Sequence, residues 1–95
     1  MNGTVYKGYF QYDLPHLYGE ERNHDGSYYE GDFVKGMKWG NGVYKFANGD
    51  QYVGDWIENR MSGDGMFKWN DGRSYRGEWT GGNFNGRGIY KWPDG

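Results

Sequence analysis

The sequence contains no cysteine, only two prolines and no apolar run of membrane-spanning length. Without cysteine the chain has no disulfides, no cysteine-containing zinc sites and no thiol catalysis. It needs no oxidising compartment, and no leader with a charged start and an apolar core is recognisable, so the sequence predicts a cytoplasmic protein. The scarcity of proline also separates the chain from collagen and from proline-rich linkers.

An excess of positive charge is also missing. The 95 residues carry a net charge of −2, so the chain is not predicted to bind nucleic acid. Only 35% of the residues are hydrophobic, which by itself is typical of disorder. However, 21% are aromatic and 19 are glycines, and both recur at regular intervals, which favours a folded chain.

A spacing of 23 residues relates the aromatic and glycine positions along the chain. Each repeating unit starts with a tyrosine, followed by glycine two residues later and by Phe or Trp two residues after that. The tyrosines are Tyr6, Tyr29, Tyr52 and Tyr75. A further glycine row holds Gly19, Gly42, Gly65 and Gly88. A period between about 20 and 50 residues predicts an array of stacked supersecondary units.

These rows resemble a known family. The segments YEGDFVKGMKWGNGVYKF, YVGDWIENRMSGDGMFKW and YRGEWTGGNFNGRGIYKW are similar to the MORN repeat, in which Y-x-G-x-W/F, a turn and G-x-G-x-Y/F follow one another. The resemblance makes residues 1–95 one array, with full repeats at 29–51, 52–74 and 75–95 after a degenerate repeat at 6–28. An atypical terminal unit is typical of a cap. The first repeat departs from the pattern at Asp13, Leu17, Glu21 and Asn23 and adds Pro15.

The spacing within each repeat predicts strands. Tyr52, Gly54 and Trp56 are two residues apart, so a strand places them on one face, with Val53 and Asp55 on the other. Each repeat therefore has an aromatic–glycine face and a mostly polar face, and the glycines leave room for rings to lie flat on the backbone. We expect an all-β fold, an elongated, single-layer, twisted antiparallel meander of stacked hairpins whose aromatic face is concave. MORN repeats imply the same architecture.

The turns predict the register of the hairpins. A three-residue loop, Asn70-Asp71-Gly72 with Gly72 left-handed, pairs Phe67 with Tyr75 and so keeps aromatic residues opposite one another. A two-residue loop would pair Lys68 with Tyr75 and mix the two faces. At the other turn, the residues expected to adopt positive φ are Gly36, Asn59 and Gly82.

The aromatic face is the first candidate binding site. Its rings either pack only on one another or form a groove that stays open to a partner helix, an extended segment or another copy of the chain, as large aromatic patches often do. The predicted groove residues are Tyr29, Phe33, Tyr44, Phe46, Tyr52, Trp56, Phe67, Trp69, Tyr75, Trp79, Tyr90 and Trp92.

The polar face offers a different candidate site. It carries one basic residue per repeat, namely Arg22, Lys45, Lys68 and Lys91, and an acidic series of Asp32, Asp55 and Glu78. Mixed signs are typical of a face that only keeps the sheet soluble. The alternative is binding of anionic phospholipid headgroups such as phosphoinositides, a role that the MORN resemblance also implies. Membrane binding normally needs concentrated positive charge, so we rank it second.

Catalytic and metal-binding patterns are missing. His16 and His24 have no metal-ligand spacing, and the Gly-x-Gly triplets lie within predicted strands with no helix after them. No nucleophile, base and orienting group can be assembled from the sequence. The chain is therefore predicted to be no enzyme and to need no cofactor or metal.

The end of the sequence and the family resemblance shape the functional expectation. Gly95 falls in a turn row and leaves the last strand as an edge, and exposed edges recruit further strands. We expect a piece of a longer array, with end-to-end self-association as the alternative. The resemblance implies a scaffold or targeting module at cytoskeletal, ciliary or membrane-associated structures. A spacer with no ligand is a third interpretation.

Overall fold

The computed structural model describes residues 4–93, which form one antiparallel sheet of eight strands in chain order. The strands are β1 (Val5–Gln11), β2 (Leu14–Arg22), β3 (Tyr28–Val34), β4 (Met37–Lys45), β5 (Gln51–Ile57), β6 (Arg60–Lys68), β7 (Ser74–Thr80) and β8 (Asn83–Lys91). The sheet measures 46 × 24 × 18 Å, so the elongated, single-layer meander is confirmed. No helix able to span a membrane occurs within residues 4–93. The predicted turn at Gly95 lies outside the described residues.

The loops between repeats have the predicted three-residue form. Gly72 has a φ of 98°, and the N–H of Trp69 donates to the carbonyl of Arg73 at 2.9 Å. Phe67 consequently faces Tyr75, and the two glycine rows face one another across β6 and β7. The predicted register is confirmed.

The turns within repeats have two central residues, both with positive φ. This geometry is that of the type I′ hairpin turn, which matches the twist of the flanking strands. The predicted positions Gly36, Asn59 and Gly82 have φ values of 82°, 69° and 94°. Lys35 and Glu58 precede them with φ values of 51° and 49°, a conformation that costs non-glycine residues energy.

Each repeat also contains a bulge, because the second strand is two residues longer than the first. In β3 and β4, Gly31 faces Gly42 and Phe33 faces Lys38, so that three residues of β4 lie opposite Asp32. The carboxylate Oδ2 of Asp32 accepts the N–H of Asn41 at 3.1 Å. The carboxylate of Asp32 is therefore part of the fold, a role that the sequence analysis missed.

Removing such a carboxylate should weaken the sheet. Asp55 accepts the N–H of Asp64 at 3.1 Å and the side-chain amide of Asn41 at 2.5 Å. Since hydrogen bonds to a charged group contribute about 1.5–3 kcal/mol, Asp55→Ala should lower the free energy of unfolding by about 2 kcal/mol in urea titrations. Asp55→Asn retains one acceptor oxygen and should therefore lower the free energy of unfolding by less than Asp55→Ala does. Equal losses in the two variants would contradict this role.

The core lies on the aromatic face, between the rings and the glycine rows. Tyr52 is fully buried, and its hydroxyl donates to the carbonyl of Asp55 at 2.9 Å. A Cβ added at Gly65 would overlap the Tyr52 ring, which explains why the strands combine aromatic residues with glycine. Trp56 packs edge-on against Tyr29 and Tyr52, with ring centroids 5.3 and 5.2 Å away. Each repeat is thereby joined to the next.

Burial of the tyrosines predicts a loss of stability in alkali. Burial raises the pKa of the Tyr29 and Tyr52 hydroxyls well above the ordinary value. Because an unfolded tyrosine ionises near pH 10 while these stay neutral in the fold, stability should be complete below about pH 10 and fall as the pH rises further. Urea midpoints between about pH 8 and pH 11.5 would show this. In Tyr52→Phe the urea midpoint should fall less steeply with pH than in the wild type. An identical dependence on pH in the two proteins would contradict the explanation.

Candidate functional site

The twelve predicted groove residues divide into two sets of six. The first set is buried, with exposed fractions between 0 and 5%, and we call it the inner row: Tyr29, Phe33, Tyr52, Trp56, Tyr75 and Trp79. These side chains pack on one another and on the glycine rows, so they form the core and have no surface to offer a partner. Of the predicted groove residues, only the second set therefore leaves ring surface accessible.

The second set runs beside the inner row and stays accessible. We call it the outer strip: Tyr44, Phe46, Phe67, Trp69, Tyr90 and Trp92. Its rings form an unbroken series of contacts across the sheet, with successive centroids between 4.7 and 5.6 Å apart. Four of the rings are half-buried, while Tyr90 and Trp92 are 38% and 60% exposed.

The outer strip has a charged rim and an open cleft towards its C-terminal end. The guanidinium of Arg73 lies 4.9 Å from the ring centroid of Trp69 and 6.0 Å from that of Trp92, and it donates to the hydroxyl of Tyr90 at 3.1 Å. The cleft has a volume of about 320 Å³ and is lined by Met61, Phe67, Trp69, Trp79, Gly82, Asn83 and Phe84. The ring centroids of Phe84 and Tyr75 lie 4.6 Å apart, a contact that the sequence analysis missed.

On the N-terminal side of Tyr44, an ion pair takes the place of the outer strip. Lys38 and Glu21 form an ion pair at 3.2 Å, with side chains only 14% and 21% exposed. The ammonium of Lys38 also lies 5.4 Å from the ring centroid of Tyr29 and 5.6 Å from that of Tyr44. Glu21 occupies the repeat position at which later repeats have an aromatic ring, so the sequence did contain a signal for this change.

The predicted lipid-binding residues lie on the opposite face in one line across the sheet, which we call the basic row: Arg22, Lys45, Lys68 and Lys91. Arg22 and Lys45 both stack on the ring of Tyr28, which lies between them. Arg22 also pairs with Glu20 at 2.8 Å. The structure thus brings the four basic residues together along one side of that face.

The opposite face also holds open cavities. Two of about 690 and 450 Å³ adjoin one another there and share Val53 and Gly54. Val53, Met66 and Ile89 on the cavity side are 42%, 37% and 63% exposed. The sequence analysis described this face as mostly polar and did not recognise these residues as an exposed apolar line.

Within the part of the chain that the structure describes, no group of three or more His, Asp or Glu side chains is placed to hold a metal ion. His16 and His24 thus belong to no such group.

Comparison with known families agrees with the repeat seen in the sequence. The family model for the MORN repeat matches three consecutive segments, residues 29–51, 52–72 and 75–95, which together make up more than half of the chain. No curated protein matches the chain. MORN repeats are non-catalytic modules that interact with proteins or membranes.

Proposed function

This chain belongs to the MORN-repeat family, and on that premise we propose that it is a non-catalytic scaffold module that docks a protein partner on the outer strip. The observation that carries the proposal is the contrast between the two aromatic sets. The inner row is completely packed, whereas the outer strip beside it leaves Trp92 60% exposed. Large exposed aromatic side chains dominate the binding energy of protein interfaces.

A helix or an extended segment with apolar side chains suits this surface. The outer strip is a continuous apolar line, and the cleft beside Trp69 and Phe84 can accept a side chain from the partner. Arg73 at the rim pairs with Asp71 at 2.8 Å and lies over the Trp69 ring, so it holds the strip in place from the protein's own side. A second copy of the chain is the other occupant that we consider. We propose the cytoplasm as the location, at cytoskeletal or membrane-associated structures.

Substitutions on the outer strip test this proposal without disturbing the core. We expect Phe46→Ser/Trp69→Ser to stay folded by circular dichroism. In quantitative affinity purification, the amount of partner protein that it captures should fall at least tenfold. Trp56→Ala/Trp79→Ala is unsuitable, because both side chains are buried.

The matched control is Val5→Ser/Ile57→Ser, which removes two exposed apolar side chains outside the outer strip and should retain those partners. Identical partner profiles for the wild type and a folded Phe46→Ser/Trp69→Ser variant would refute the proposal. Sedimentation velocity of the same three proteins distinguishes a second copy from another partner.

Binding to anionic phospholipids is the second candidate, and the alignment of the basic row favours it. Against it, acidic side chains occupy the other side of the same face, and positive charge must be concentrated for membrane binding. Sedimentation with phosphatidylserine vesicles at low and moderate salt decides the ranking. Salt-sensitive binding that is lost in Lys45→Glu/Lys68→Glu would place lipid first.

A further inference from the structure

The face opposite the aromatic rings has an apolar line along its middle. Val43, Val53 and Met66 are direct cross-strand neighbours on β4, β5 and β6, and Arg76 on β7 separates them from Ile89 on β8. We call this line the central row. Three of its four apolar side chains are more than one third exposed, and they line the two adjoining cavities. Scattered apolar residues are ordinary on a protein surface, but three direct cross-strand neighbours within a groove are not.

Opposite charges lie on the two sides of the central row. Two residues away along the strands in one direction lies the basic row. Two residues away in the other direction lies an acidic row of Asp55, Asp64 and Glu78, which Asn41 precedes on β4 and Arg87 follows on β8. Lys68, Met66 and Asp64 illustrate the order within β6. Asp64 and Glu78 are cross-strand neighbours of like charge, an arrangement that an approaching cationic group would relieve.

We infer that this face docks an amphipathic α-helix whose apolar stripe lies along the central row, with acidic residues on the flank beside the basic row and basic residues on the flank beside the acidic row. The charge pattern on the face calls for this partner because each flank of the helix then meets opposite charge. The inference does not depend on the outer strip, which lies on the other side of the sheet.

Spacing favours a helix over an extended chain. Adjacent strands lie about 4.8 Å apart, and apolar positions on a helix stripe advance by about 5.3 Å on average. Residues on one side of an extended chain advance by about 6.7 Å and would leave the row within a few strands. From Val43 to Ile89 the central row covers four strand spacings, or about 19 Å, which corresponds to roughly 13 residues of helix.

The width of the surface also suits a helix. The charged rows lie about 6.7 Å to either side of the central row, since two residues of a strand separate them. A helix with its side chains has a radius of about 5–6 Å, so its two flanks reach both rows while its apolar stripe covers Val53 and Met66. These dimensions and charges specify the partner without its sequence.

Designed peptides provide the test. The probe is a fluorescein-labelled 18-residue helix with a leucine stripe, glutamates along one flank and lysines along the other. A control peptide has the same composition with both charges mixed on both flanks. Fluorescence anisotropy with the intact chain should show the segregated peptide binding at least tenfold more tightly than the mixed one. Equal affinities, or no binding of either peptide, would overturn the inference.

Variants of the protein locate the binding face. Val53→Lys and Met66→Lys each place a charge on the central row at an exposed position. Each should lower the affinity for the segregated peptide at least tenfold. Phe46→Ser on the aromatic face should leave its affinity unchanged. If the lysine variants bind as the wild type does, the face has been misassigned. A wild-type dimer that Val53→Lys abolishes, or vesicle binding that it abolishes, would assign the face to those occupants and overturn the helix.

The direction of the bound helix gives a second readout. Exchanging glutamates and lysines between the flanks of the peptide preserves complementarity only if the helix turns end for end. That peptide should therefore bind with unchanged affinity, while an N-terminal spin label broadens amide signals at the opposite end of the sheet. If the label stays at the same end, charge does not orient the helix and the inference fails.

Discussion

Gly65→Ala is expected to lower the free energy of unfolding by about 3 kcal/mol, the upper range for adding a methyl group to a packed core. A Cβ at this position would overlap the hydroxyl and ring carbons of Tyr52. Tyr52 is fully buried and hydrogen-bonded, so its ring cannot move aside without disturbing Trp56 and Trp79. Urea titration followed by tryptophan fluorescence measures the loss.

A matched glycine separates the effect of space from that of backbone conformation. Gly81 has a φ of 55°, and no atom lies within 4 Å of a Cβ added there. Gly81→Ala should therefore cost only about 1 kcal/mol, the strain of a left-handed alanine. If Gly81→Ala and Gly65→Ala lose equal stability, the tyrosine rings do not depend on the glycine rows for room.

Trp56→Ala is the second substitution with a large expected effect, a loss of about 3–5 kcal/mol. The indole is 5% exposed and packs edge-on against a tyrosine of its own repeat and a tyrosine of the preceding one. Its Nε1 donates to the carbonyl of Gly42 at 3.3 Å. The variant therefore leaves a cavity at the junction of two repeats, which thermal and urea unfolding will detect.

Two further variants check the origin of that loss. Trp56→Phe should lower the free energy of unfolding by only about 1 kcal/mol. The preceding repeat has Phe33 at the same position, and that ring is buried and packs edge-on against Tyr29. Trp69→Ala on the outer strip should also cost much less than Trp56→Ala, since its ring is only half-buried. A loss at Trp69 as large as that at Trp56 would mean that the outer strip is part of the core.

The faces and the hairpin register could be predicted from the sequence because both depend on local rules. Alternation with a period of two places Tyr52 and Trp56 together, and the glycine of the three-residue loop fixes the pairing of Phe67 with Tyr75. The repeat allowed these assignments to be transferred from one hairpin to the next. The MORN resemblance led to the same fold.

The division of the aromatic face could not be predicted in the same way. Tyr52 and Phe67 have the same period and face each other, yet only Tyr52 lies over the glycines and is completely buried. An alternating pattern places both rings on one face but does not specify which of them lies over the glycines, nor the bulge at which three residues lie opposite one. The same bulge gives Asp55 its structural role. The exposed row through Val53 was visible in the sequence but was outweighed by the charges around it.

The inner row of packed rings supports the exposed outer strip. Hydroxyl-radical footprinting with mass spectrometry tests this division in the intact protein, tryptophan by tryptophan. We expect Trp92, which is 60% exposed, to be oxidised fastest and half-buried Trp69 more slowly. Trp56 and Trp79, 5% and 4% exposed, should be protected until the protein unfolds. Equal oxidation of Trp56 and Trp92 under native conditions would contradict the account.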